Sequence, residues 1–366
     1  MLTVCHLTSA HAPGDTRIFY KECVSLAKAG YAVTLVQRGE SGREQGVDIV
    51  GLGQPQDGRW KRMVSFTRNV YRAAAKVDAD IYHLHDPELL PYGWKLKRQG
   101  KTVIFDSHEF TAESILEKAW LPAPMRTLVH WAYQRFEAAI CRKLDGIITV
   151  SPHIAAYFSS INPNTVQVSN YPILEPDTPC SDFSKKSVIF AGGIVEQWMH
   201  ETILQALAKV PQCRYTLCGP CRAGYLERLQ ALPGWKQTEY LGRIPHSAVA
   251  QQMSHCMAGL ALLRPNRNSD WKNGTMGNTK IFEEMMAGLP VICTDFTRWR
   301  EFVDRYHCGI CVNAESADEI AEAMTYLLEH PAEARRMGEN GRRAVEAEFN
   351  WKNEEQKLLA FYQAIL

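Results

Sequence analysis

The sequence predicts an α/β protein with two domains, each built around a parallel sheet of the Rossmann type. The chain has 366 residues, and a domain usually contains about 100–200 residues. Short β-branched segments alternate with longer segments of helical periodicity, a pattern typical of βαβ units. A segment with several prolines among polar residues, at positions 162–184, interrupts the alternation as a linker would.

The strand-like segments form two series, one on each side of that linker. The first series occupies residues 2–7, 32–36, 47–51, 81–85, 102–106 and 146–150, and a helix at 16–29 ends before Gly30. The second series occupies residues 188–191, 214–217, 258–263, 291–293 and 310–312. We therefore predict a first domain at 1–168, a second domain at 171–348 and a final helix at 351–366. Ligands of such sheets bind at the carboxyl ends of the strands.

The overall composition excludes several classes of protein. The chain carries 41 basic and 40 acidic residues, a formal net charge of +1, which provides no general attraction to nucleic acid. Its 11 cysteines are scattered and odd in number, unlike a disulfide framework, and indicate a reducing compartment. No apolar run reaches the ~20 residues that span a bilayer, and no signal peptide is recognisable. We expect a cytoplasmic protein with no nucleic-acid partner.

The segment from Asn278 to Gly288 has the features of a phosphate-binding helix start. Asn278 is a good N-cap, and the free N–H groups of a helix N-terminus bind phosphates. Lys280 stands in the first turn, where the helix dipole disfavours a cation unless an anion binds there. The alternative is an ordinary amphipathic helix with solvated charges. We favour a pyrophosphate site because the whole pattern supports it, and not Lys280 alone.

This segment and four others resemble the retaining GT-B glycosyltransferases of group 1, the family 4-like enzymes that make bacterial polysaccharides and glycolipids. The best match runs from Asn278 to Val291 and is similar to the family signature K-x-F-E-x-M-x-A-G-x-P-V. The other matching segments are residues 240–245, 9–18, 83–87 and 106–109. The resemblance implies two Rossmann-like domains facing across a cleft, with the acceptor on the first, the donor on the second and the final helix packed back onto the first.

The resemblance also implies a mechanism and several residue roles. Similar enzymes transfer a sugar with retention, by same-face attack as the nucleoside diphosphate leaves, and Lys280 would stabilise that leaving group. Glu283 would bind the ribose hydroxyls, with Asn278 and Thr279 at the start of the same helix. His85 would lie close to the reacting sugar. Near the proposed donor site, no Asp and Glu pairs have the spacing of metal ligands, so we expect neither a metal nor a cofactor.

The sequence departs from the family pattern at three donor-site positions. Thr275 stands where many members have a glutamate that contacts the transferred sugar. Gly193 and Trp198 stand where members often have an arginine and a lysine. Arg243 and Arg264 are candidate replacements for the missing charge, and Gly192 with Gly193 would let backbone N–H groups approach a phosphate. The alternative is that this glycine pair is only a tight turn.

Candidate residues in the first half lie at strand ends and at the start of the first helix. Arg17 is a candidate for contact with an anionic acceptor group or the donor phosphates, and His85 is a candidate catalytic residue. The expected acceptor-binding residues are Asp15, Asp86, His108 and Glu109. For each there is a structural alternative, since Asp15 would cap a helix and a lone histidine is more often a packed residue.

Other motifs suggest competing functions. Cys218-Gly219-Pro220-Cys221 has the spacing of a thioredoxin-like redox motif, although its surroundings do not fit one. Basic and aromatic residues at 59–72 and 94–98 would suit peripheral contact with an anionic membrane, or form a solvated helix face. Apolar side chains between Trp120 and Trp131 are expected in a core or an interface.

These observations together predict a glycosyltransferase that uses a UDP- or GDP-linked sugar as its donor. The acceptor would be a saccharide or a lipid-linked saccharide in bacterial surface polysaccharide synthesis, which would place the enzyme at the inner face of the cytoplasmic membrane. The alternatives are a non-catalytic nucleotide-sugar-binding subunit, favoured by Thr275, Gly193 and Trp198, and a nucleotide-sugar epimerase of the same fold.

Overall fold

A computed structural model describes residues 1–54, 62–118, 120–174 and 179–366, apart from the side chains of Arg62 and His246. The chain divides into two compact units. The first comprises Met1–Asn170 and Trp351–Leu366, and the second comprises Tyr171–Asn350. Each unit contains a sheet with helices, and the strands of both sheets are mainly parallel. The predicted α/β fold class with two parallel-sheet domains is confirmed.

The first unit contains an eight-stranded sheet in the order β3-β4-β2-β1-β5-β6-β7-β8. Only the short edge strand β3 pairs antiparallel to its neighbour β4 within this sheet as described. The strands are β1 Thr3–Leu7, β2 Ala32–Gln37, β3 Gly42–Glu44, β4 Val47–Gly51, β5 Ile81–Leu84, β6 Thr102–Ser107, β7 Gly146–Thr149 and β8 Thr165–Gln167.

Helices connect these strands and cover the sheet. A π-helical segment, Thr16–Cys23, leads into α1, and a second one, Arg62–Phe66, leads into α2. The α-helices are α1 Val24–Lys28, α2 Thr67–Val77, α3 Leu90–Arg98, α4 Thr111–Leu116, α5 Ala123–Cys141, α6 Pro152–Ser159 and, after the second unit, the final helix Trp351–Ala364, with a 3₁₀ turn at Pro87–Leu89. The final helix is fixed within this unit because Trp351 Nε1 donates to Ser25 Oγ at 3.0 Å and Glu354 accepts from the Ser169 N–H at 2.7 Å.

The two faces of the central strands β1 and β5 differ in chemistry. Alternation along a strand places successive side chains on opposite faces. Cys5, Leu7, Tyr82 and Leu84 therefore share one face and belong to one apolar core cluster. His6 pairs with His83 in the parallel register, so both point to the other face together with His85. A sheet that is apolar on one side thus presents buried histidines on the other.

The second unit contains a six-stranded parallel sheet in the order β11-β10-β9-β12-β13-β14. Its strands are β9 Ser187–Ala191, β10 Arg214–Cys218, β11 Thr238–Gly242, β12 Ala258–Ala261, β13 Val291–Thr294 and β14 Gly309–Val312. Its α-helices are α7 His200–Leu207, α8 Ala223–Gln230, α9 His246–Met253, α10 Thr279–Met286, α11 Thr297–Tyr306, α12 Ala317–Glu329 and α13 Pro331–Ala347, with 3₁₀ turns at Glu196–Trp198, Pro233–Gln237, Arg267–Ser269 and Trp271–Asn273. The final helix of the chain is α14.

Two sequence-based assignments need correction. The predicted linker at 162–184 contains strand β8, Thr165–Gln167, which pairs with β7. Strand β11, Thr238–Gly242, was not among the predicted strand segments. Both are edge strands whose side chains are only partly buried, so neither shows the apolar run by which a central strand of a parallel sheet is recognised.

The segments proposed for membrane contact are only partly described. Residues 59–61 lie outside the described ranges. Residues 94–98 belong to α3, where Lys143 Nζ lies 4.1 Å from the centre of the Trp94 ring. Among the described residues, no helix is both long enough and apolar enough to cross a bilayer.

Candidate functional site

Three loops of the second unit meet at the carboxyl ends of β9, β10 and β11. The Gly192 N–H donates to the Cys218 carbonyl at 2.9 Å, and the Gly219 N–H donates to the Gly242 carbonyl at 2.7 Å. A Cβ atom on Gly219 would lie 1.8 Å from the Gly192 carbonyl oxygen, and Gly219 has φ +136°. Only glycine allows this packing. The backbone atoms of these loops therefore pack closely together at this end of the sheet.

The side chain of Lys280, in the first turn of α10, extends to these loops. Its Nζ donates to the Ala191 carbonyl at 2.8 Å and lies 4.9 Å from the Phe190 ring centre and 5.0 Å from the Trp198 ring centre. Burial lowers the pKa of the Lys280 ammonium. The cation is thus held by a carbonyl and two aromatic faces at the start of a helix, where a phosphate would bind favourably.

Asn278 is the N-cap of α10, as expected from the sequence. Its side-chain oxygen accepts from the Lys280 N–H at 3.1 Å. Its Nδ2 is buried and has no hydrogen-bond partner among the described residues. An unpaired buried donor costs about 1–3 kcal/mol, so a ligand oxygen at this helix start would relieve that cost.

His200 lies behind Lys280 and was not singled out from the sequence. Its ring makes an edge-on contact with Phe190 at 4.6 Å, and its Nδ1 is 3.0 Å from the Tyr215 hydroxyl. Burial and the nearby Lys280 charge lower the pKa of His200 to about 3. The imidazole is therefore neutral and does not compete with Lys280 for an anion. A histidine at the start of a helix carries no sequence signal that would have revealed this contact.

The other predicted donor-site residues lie around the same sheet edge. The Arg264 N–H donates to the Gln197 carbonyl at 2.8 Å, which places this exposed arginine beside the loop that carries Trp198. Arg243 is exposed and follows β11, two strands from β9 and so roughly 10 Å away. The Thr275 hydroxyl accepts from the Gly277 N–H at 3.1 Å. Thr279 begins α10 and the half-buried Glu283 lies one turn later, while Gly193 directly follows Gly192.

We expect the substitution Gly192→Ala to weaken diphosphate binding roughly ten- to a hundredfold. Its Cβ would lie 2.1 Å from Lys280 Nζ, and the backbone has φ +150°, so the ammonium must move and lose charge-assisted bonds of about 1.5–3 kcal/mol. Isothermal titration with UDP measures the change. Gly193→Ala is the matched control, because a Cβ there meets no atom within 4 Å. Equal loss in both variants would contradict the assignment.

In the first unit, Asp106 at the end of β6 organises a buried polar cluster. Its two oxygens accept from Arg17 Nε and Nη2, each at 2.9 Å, and Oδ2 lies 2.7 Å from His108 Nε2. Arg17 Nη1 donates to the Val168 carbonyl at 2.9 Å, and Arg17 is only 4% exposed. Burial alone would raise the pKa of Asp106, but the Arg17 charge holds it well below its usual range.

The role expected for Arg17 is therefore corrected. All three guanidinium nitrogens are engaged by acceptors of the protein, so Arg17 positions Asp106 and does not contact a ligand anion. Asp15 takes the capping role given above as its alternative, since its Oδ1 accepts from the Arg17 and Ile18 N–H groups at 3.0 Å each.

A line of histidines leads from the interior of this unit to a cavity. His85 Nδ1 lies 3.3 Å from His108 Nε2, and His108 Nδ1 lies 3.3 Å from His11 Nε2. Burial lowers the pKa of His85 to about 4. His11 is half-buried, and its Nδ1 lies 3.1 Å from Asp86 Oδ1. The ring of His11 brings this line of imidazoles to the surface.

Asp86, which was expected to bind the acceptor, also positions its neighbours. It is almost fully buried and accepts from the Thr8 hydroxyl at 2.9 Å and the Ala10 N–H at 3.2 Å. Burial alone would raise the pKa of Asp86, but the His11 ring and these donors lower it. Asp86 thus fixes the loop after β1 that carries His11.

The cavity itself has a volume of about 590 Å³ and lies within the first unit. Both polar and apolar side chains line it. The polar lining includes His11, His85, His108 and Glu109, and the apolar lining includes Phe105, Ile115, Val129 and Phe136. A sugar carrying an apolar group would find both kinds of surface here.

Glu137 is a buried carboxyl near this cavity that the sequence analysis missed. Tyr133, which lines the cavity, donates to Glu137 Oε1 at 2.8 Å, and Tyr157 donates to Oε2 at 3.1 Å. Burial raises the pKa of Glu137 to about 7. The folded state therefore binds this proton more tightly than the unfolded state, whose carboxyl titrates near 4.5.

We expect the stability of wild type relative to Glu137→Gln to depend on pH. Below pH ~4.5 the protonated carboxyl contributes roughly 3 kcal/mol to the free energy of unfolding. This contribution is lost as the pH rises to about 7. Urea unfolding of both proteins at pH 4.5 and pH 8 measures the difference. Glu44→Gln, on an exposed strand of the same unit, should show no such pH dependence. A constant difference for Glu137→Gln would contradict the assignment.

The cysteine motif does not have the features of a redox site. The cysteines of the described chain are free, including Cys218 and Cys221. Burial raises the pKa of Cys218 to about 11, whereas reactive thiols have a lowered pKa.

Two family profiles match the chain, one in each half. A profile described as "Glycosyl transferase 4-like domain" matches residues 16–170, and one described as "Glycosyl transferase-like" matches residues 197–360. No sequence of a functionally curated protein matches significantly.

Solved structures with the same fold cover nearly the whole chain. Sucrose-phosphate synthase from Thermosynechococcus elongatus has a TM-score of 0.74 at 20% identity, covering 100% of this chain and 99% of its own. HepE from Anabaena, solved with UDP and glucose, has a TM-score of 0.72 at 14% identity and covers 100% of both chains. WaaG, described as a glycosyltransferase involved in lipopolysaccharide biosynthesis, has a TM-score of 0.72 at 12% identity and covers 99% of both.

Proposed function

Since this chain belongs to the GT-B glycosyltransferases of group 1, we propose that it transfers a hexosyl unit, with retention, from a UDP- or GDP-linked sugar to a saccharide or lipid-linked acceptor. We further propose that this reaction serves bacterial surface polysaccharide synthesis. The observation that carries the proposal is the desolvated Lys280 ammonium at the start of α10, held against the Gly192 loop.

The donor site of the second unit would bind the diphosphate through several groups. Lys280 supplies a full positive charge, and the first turn of α10 supplies N–H groups and the positive end of the helix dipole. Asn278 Nδ2 supplies a buried donor. Glu283 would bind the ribose hydroxyls. UDP is the first nucleotide to test, because HepE was solved with UDP and glucose.

The departures from the family pattern are compatible with a working donor site. Trp198 stands in place of a lysine, yet its ring lies 5.0 Å from the Lys280 ammonium and stabilises that cation. The exposed Arg264 lies beside the same loop and would supply a further charge. Thr275 or the N–H groups of residues 274–277 would contact the transferred sugar.

The cavity of the first unit would bind the acceptor. His85, His108 and Glu109 line this cavity, and Glu109 is the most exposed of the three. In the reaction, the acceptor oxygen bonds to the anomeric carbon on the face from which the diphosphate leaves. The acceptor proton passes to the departing phosphate oxygen, and Lys280 stabilises the charge that develops there. His85 would orient the acceptor hydroxyl as a neutral imidazole.

Exposed apolar side chains on and near α5 favour a lipid-linked acceptor. Trp120, Leu128 and Trp131 were expected in a core or an interface, but they are 50–64% exposed. Val129, Tyr133 and Phe136 of the same helix line the cavity. An apolar surface continuous with the cavity would let a lipid tail leave it at the surface of a membrane. Co-sedimentation with vesicles of anionic phospholipid, compared for wild type and Leu128→Ser, tests this contact.

Thermal unfolding with and without nucleotides tests the proposed donor class. One nucleoside diphosphate at 100 times its dissociation constant should stabilise the chain by about 2.7 kcal/mol, and the corresponding monophosphate should stabilise it less. A chain that responds to no nucleotide would overturn the proposal. Product formation then separates the alternatives, because an epimerase converts its nucleotide sugar without an acceptor, whereas a binding subunit forms no product with any acceptor.

A further inference from the structure

Three histidines and a glutamate converge in the interior of the first unit, beneath the cavity. His6 comes from β1, His83 from β5 and Glu22 from the π-helical segment before α1, and all three side chains are fully buried. His85, just after β5, completes the group. One nitrogen or oxygen from each of the four lies within 4.8 Å of the others.

The atoms of this group have separations close to those of metal ligands. Glu22 Oε2 lies 3.8 Å from His83 Nε2 and 3.9 Å from His85 Nε2. His85 Nε2 lies 2.8 Å from His6 Nδ1. In tetrahedral zinc sites, ligands at 2.0–2.1 Å from the ion are roughly 3.3 Å apart. The observed range brackets that value, so small side-chain movements would bring all four atoms to an ion.

Several of these atoms have no hydrogen-bond partner among the described residues. They are both carboxylate oxygens of Glu22 and the Nε2 atom of His83. The Glu22 Oε1 atom is close to a charge, since it lies 3.0 Å from Arg17 Nε, but Oε2 faces the histidines. Each buried polar atom without a partner destabilises the folded state. A single cation would satisfy several of them at once.

The outer nitrogens of two histidines are held as in known metal sites. His83 Nδ1 lies 2.7 Å from the hydroxyl of Tyr362 on the final helix, and His85 Nδ1 lies 3.5 Å from Asp106 Oδ2. A metal-binding histidine typically donates its second N–H to an oxygen, which fixes the ring and leaves the inner nitrogen with its lone pair. Both rings therefore present Nε2 as a ligand atom toward Glu22.

We propose that His6, Glu22, His83 and His85 bind a divalent transition metal ion, with zinc matching the imidazole and carboxylate ligands best. All four ligands come from the protein and are buried, which is the arrangement of a structural site. The ion would tie β1, β5 and the segment before α1 together beneath the cavity. This inference does not depend on the proposed donor chemistry, because Lys280 lies in the second unit.

A neighbouring group of possible ligands, His85, Asp106 and His108, fits a metal less well. Both oxygens of Asp106 already accept from the Arg17 guanidinium, whereas only Oε1 of Glu22 lies near that charge and Oε2 lies toward the histidines. The competing explanation for the first group is a proton on Glu22 in place of a metal.

Metal analysis of the wild-type chain tests the site without any substitution. The full chain, produced with added zinc and without a histidine tag, should contain one zinc ion by mass spectrometry. Production with cobalt should give the visible absorption of tetrahedral Co²⁺ with nitrogen and oxygen ligands. A strong chelator should lower the Tm by roughly 5 °C or more. A chain that contains no metal, and whose Tm responds to neither zinc nor chelator, would overturn the proposal in favour of protonated Glu22.

Substitutions then assign the metal to these four residues. Glu22→Gln keeps the side-chain shape but removes the charge, and with His83→Gln it should lower the bound metal at least tenfold. His108→Gln tests the neighbouring group, and His255→Gln is a control at an exposed histidine of the second unit. Retention of metal in His83→Gln together with its loss in His108→Gln would refute the assignment. UDP binding, measured on the same samples, should persist, so a failure here is distinct from a failure of the proposed function.

Discussion

Lys280→Ala is expected to lower the affinity for a nucleoside diphosphate by roughly ten- to a hundredfold. The ammonium is buried and is held by the Ala191 carbonyl and two aromatic rings, so it would form charge-assisted bonds worth about 1.5–3 kcal/mol with a phosphate. Removing it also abolishes charge stabilisation of the leaving group, so turnover should fall further than affinity. Calorimetry with UDP and a transfer assay measure the two effects.

The same substitution should not destabilise the protein in the absence of ligand. Burial opposes the charge on Lys280, and removing a desolvated charge from a binding site often leaves stability unchanged or raises it. Lys272→Ala, at an exposed lysine of the same unit, is the control for a general loss of positive charge. If Lys280→Ala binds UDP as tightly as wild type and Lys272→Ala do, Lys280 is not part of the donor site.

Asp106→Ala should destabilise the first unit by about 3–5 kcal/mol. The substitution leaves the Arg17 guanidinium buried without its bidentate partner, and a buried charge that loses its partner has an effect of this size. Urea unfolding measures the change. The double variant Arg17→Met/Asp106→Leu should lose less than Asp106→Ala, because it removes the buried guanidinium together with the carboxylate that binds it bidentately.

An exposed ion pair provides the comparison for this prediction. Asp295 lies beside Arg300 in the second unit, and both side chains are more than two-fifths exposed. Exposed pairs contribute about 0–1 kcal/mol, so Asp295→Ala should change stability little. Similar effects of Asp106→Ala and Asp295→Ala would show that the Arg17–Asp106 pair does not stabilise the first unit.

The central strands and the edge strand β14 could be predicted from the sequence, whereas the edge strands β3, β8 and β11 could not. Segments such as 188–191 and 291–293 are apolar runs because both faces of a parallel sheet are covered, and the structure has strands Ser187–Ala191 and Val291–Thr294 there. Strand β8 has only partly buried side chains. Because prolines surround it in the sequence, the segment was predicted to be a linker. The N-cap at Asn278 was predictable because it depends on neighbouring residues alone.

Contacts between distant parts of the chain were beyond the sequence analysis. Arg17 and Asp106 are 89 positions apart, and no local pattern shows that they pair. The alternation of His83 and His85 on one strand face was visible in the sequence. Their convergence with His6 depends on the register of β1 against β5, and Glu22 arrives from a helix, so the group of four could be found only in three dimensions.

The final helix has a consequence for the synthesis of this protein. Residues 351–366 belong to the first unit, although they follow the second unit in the chain. Tyr362, which holds His83, therefore leaves the ribosome only after all of Tyr171–Asn350 has emerged. Domains generally fold as they are synthesised. The second unit can therefore fold while the first unit still lacks its final helix. The first unit, although it is translated first, completes its folding last.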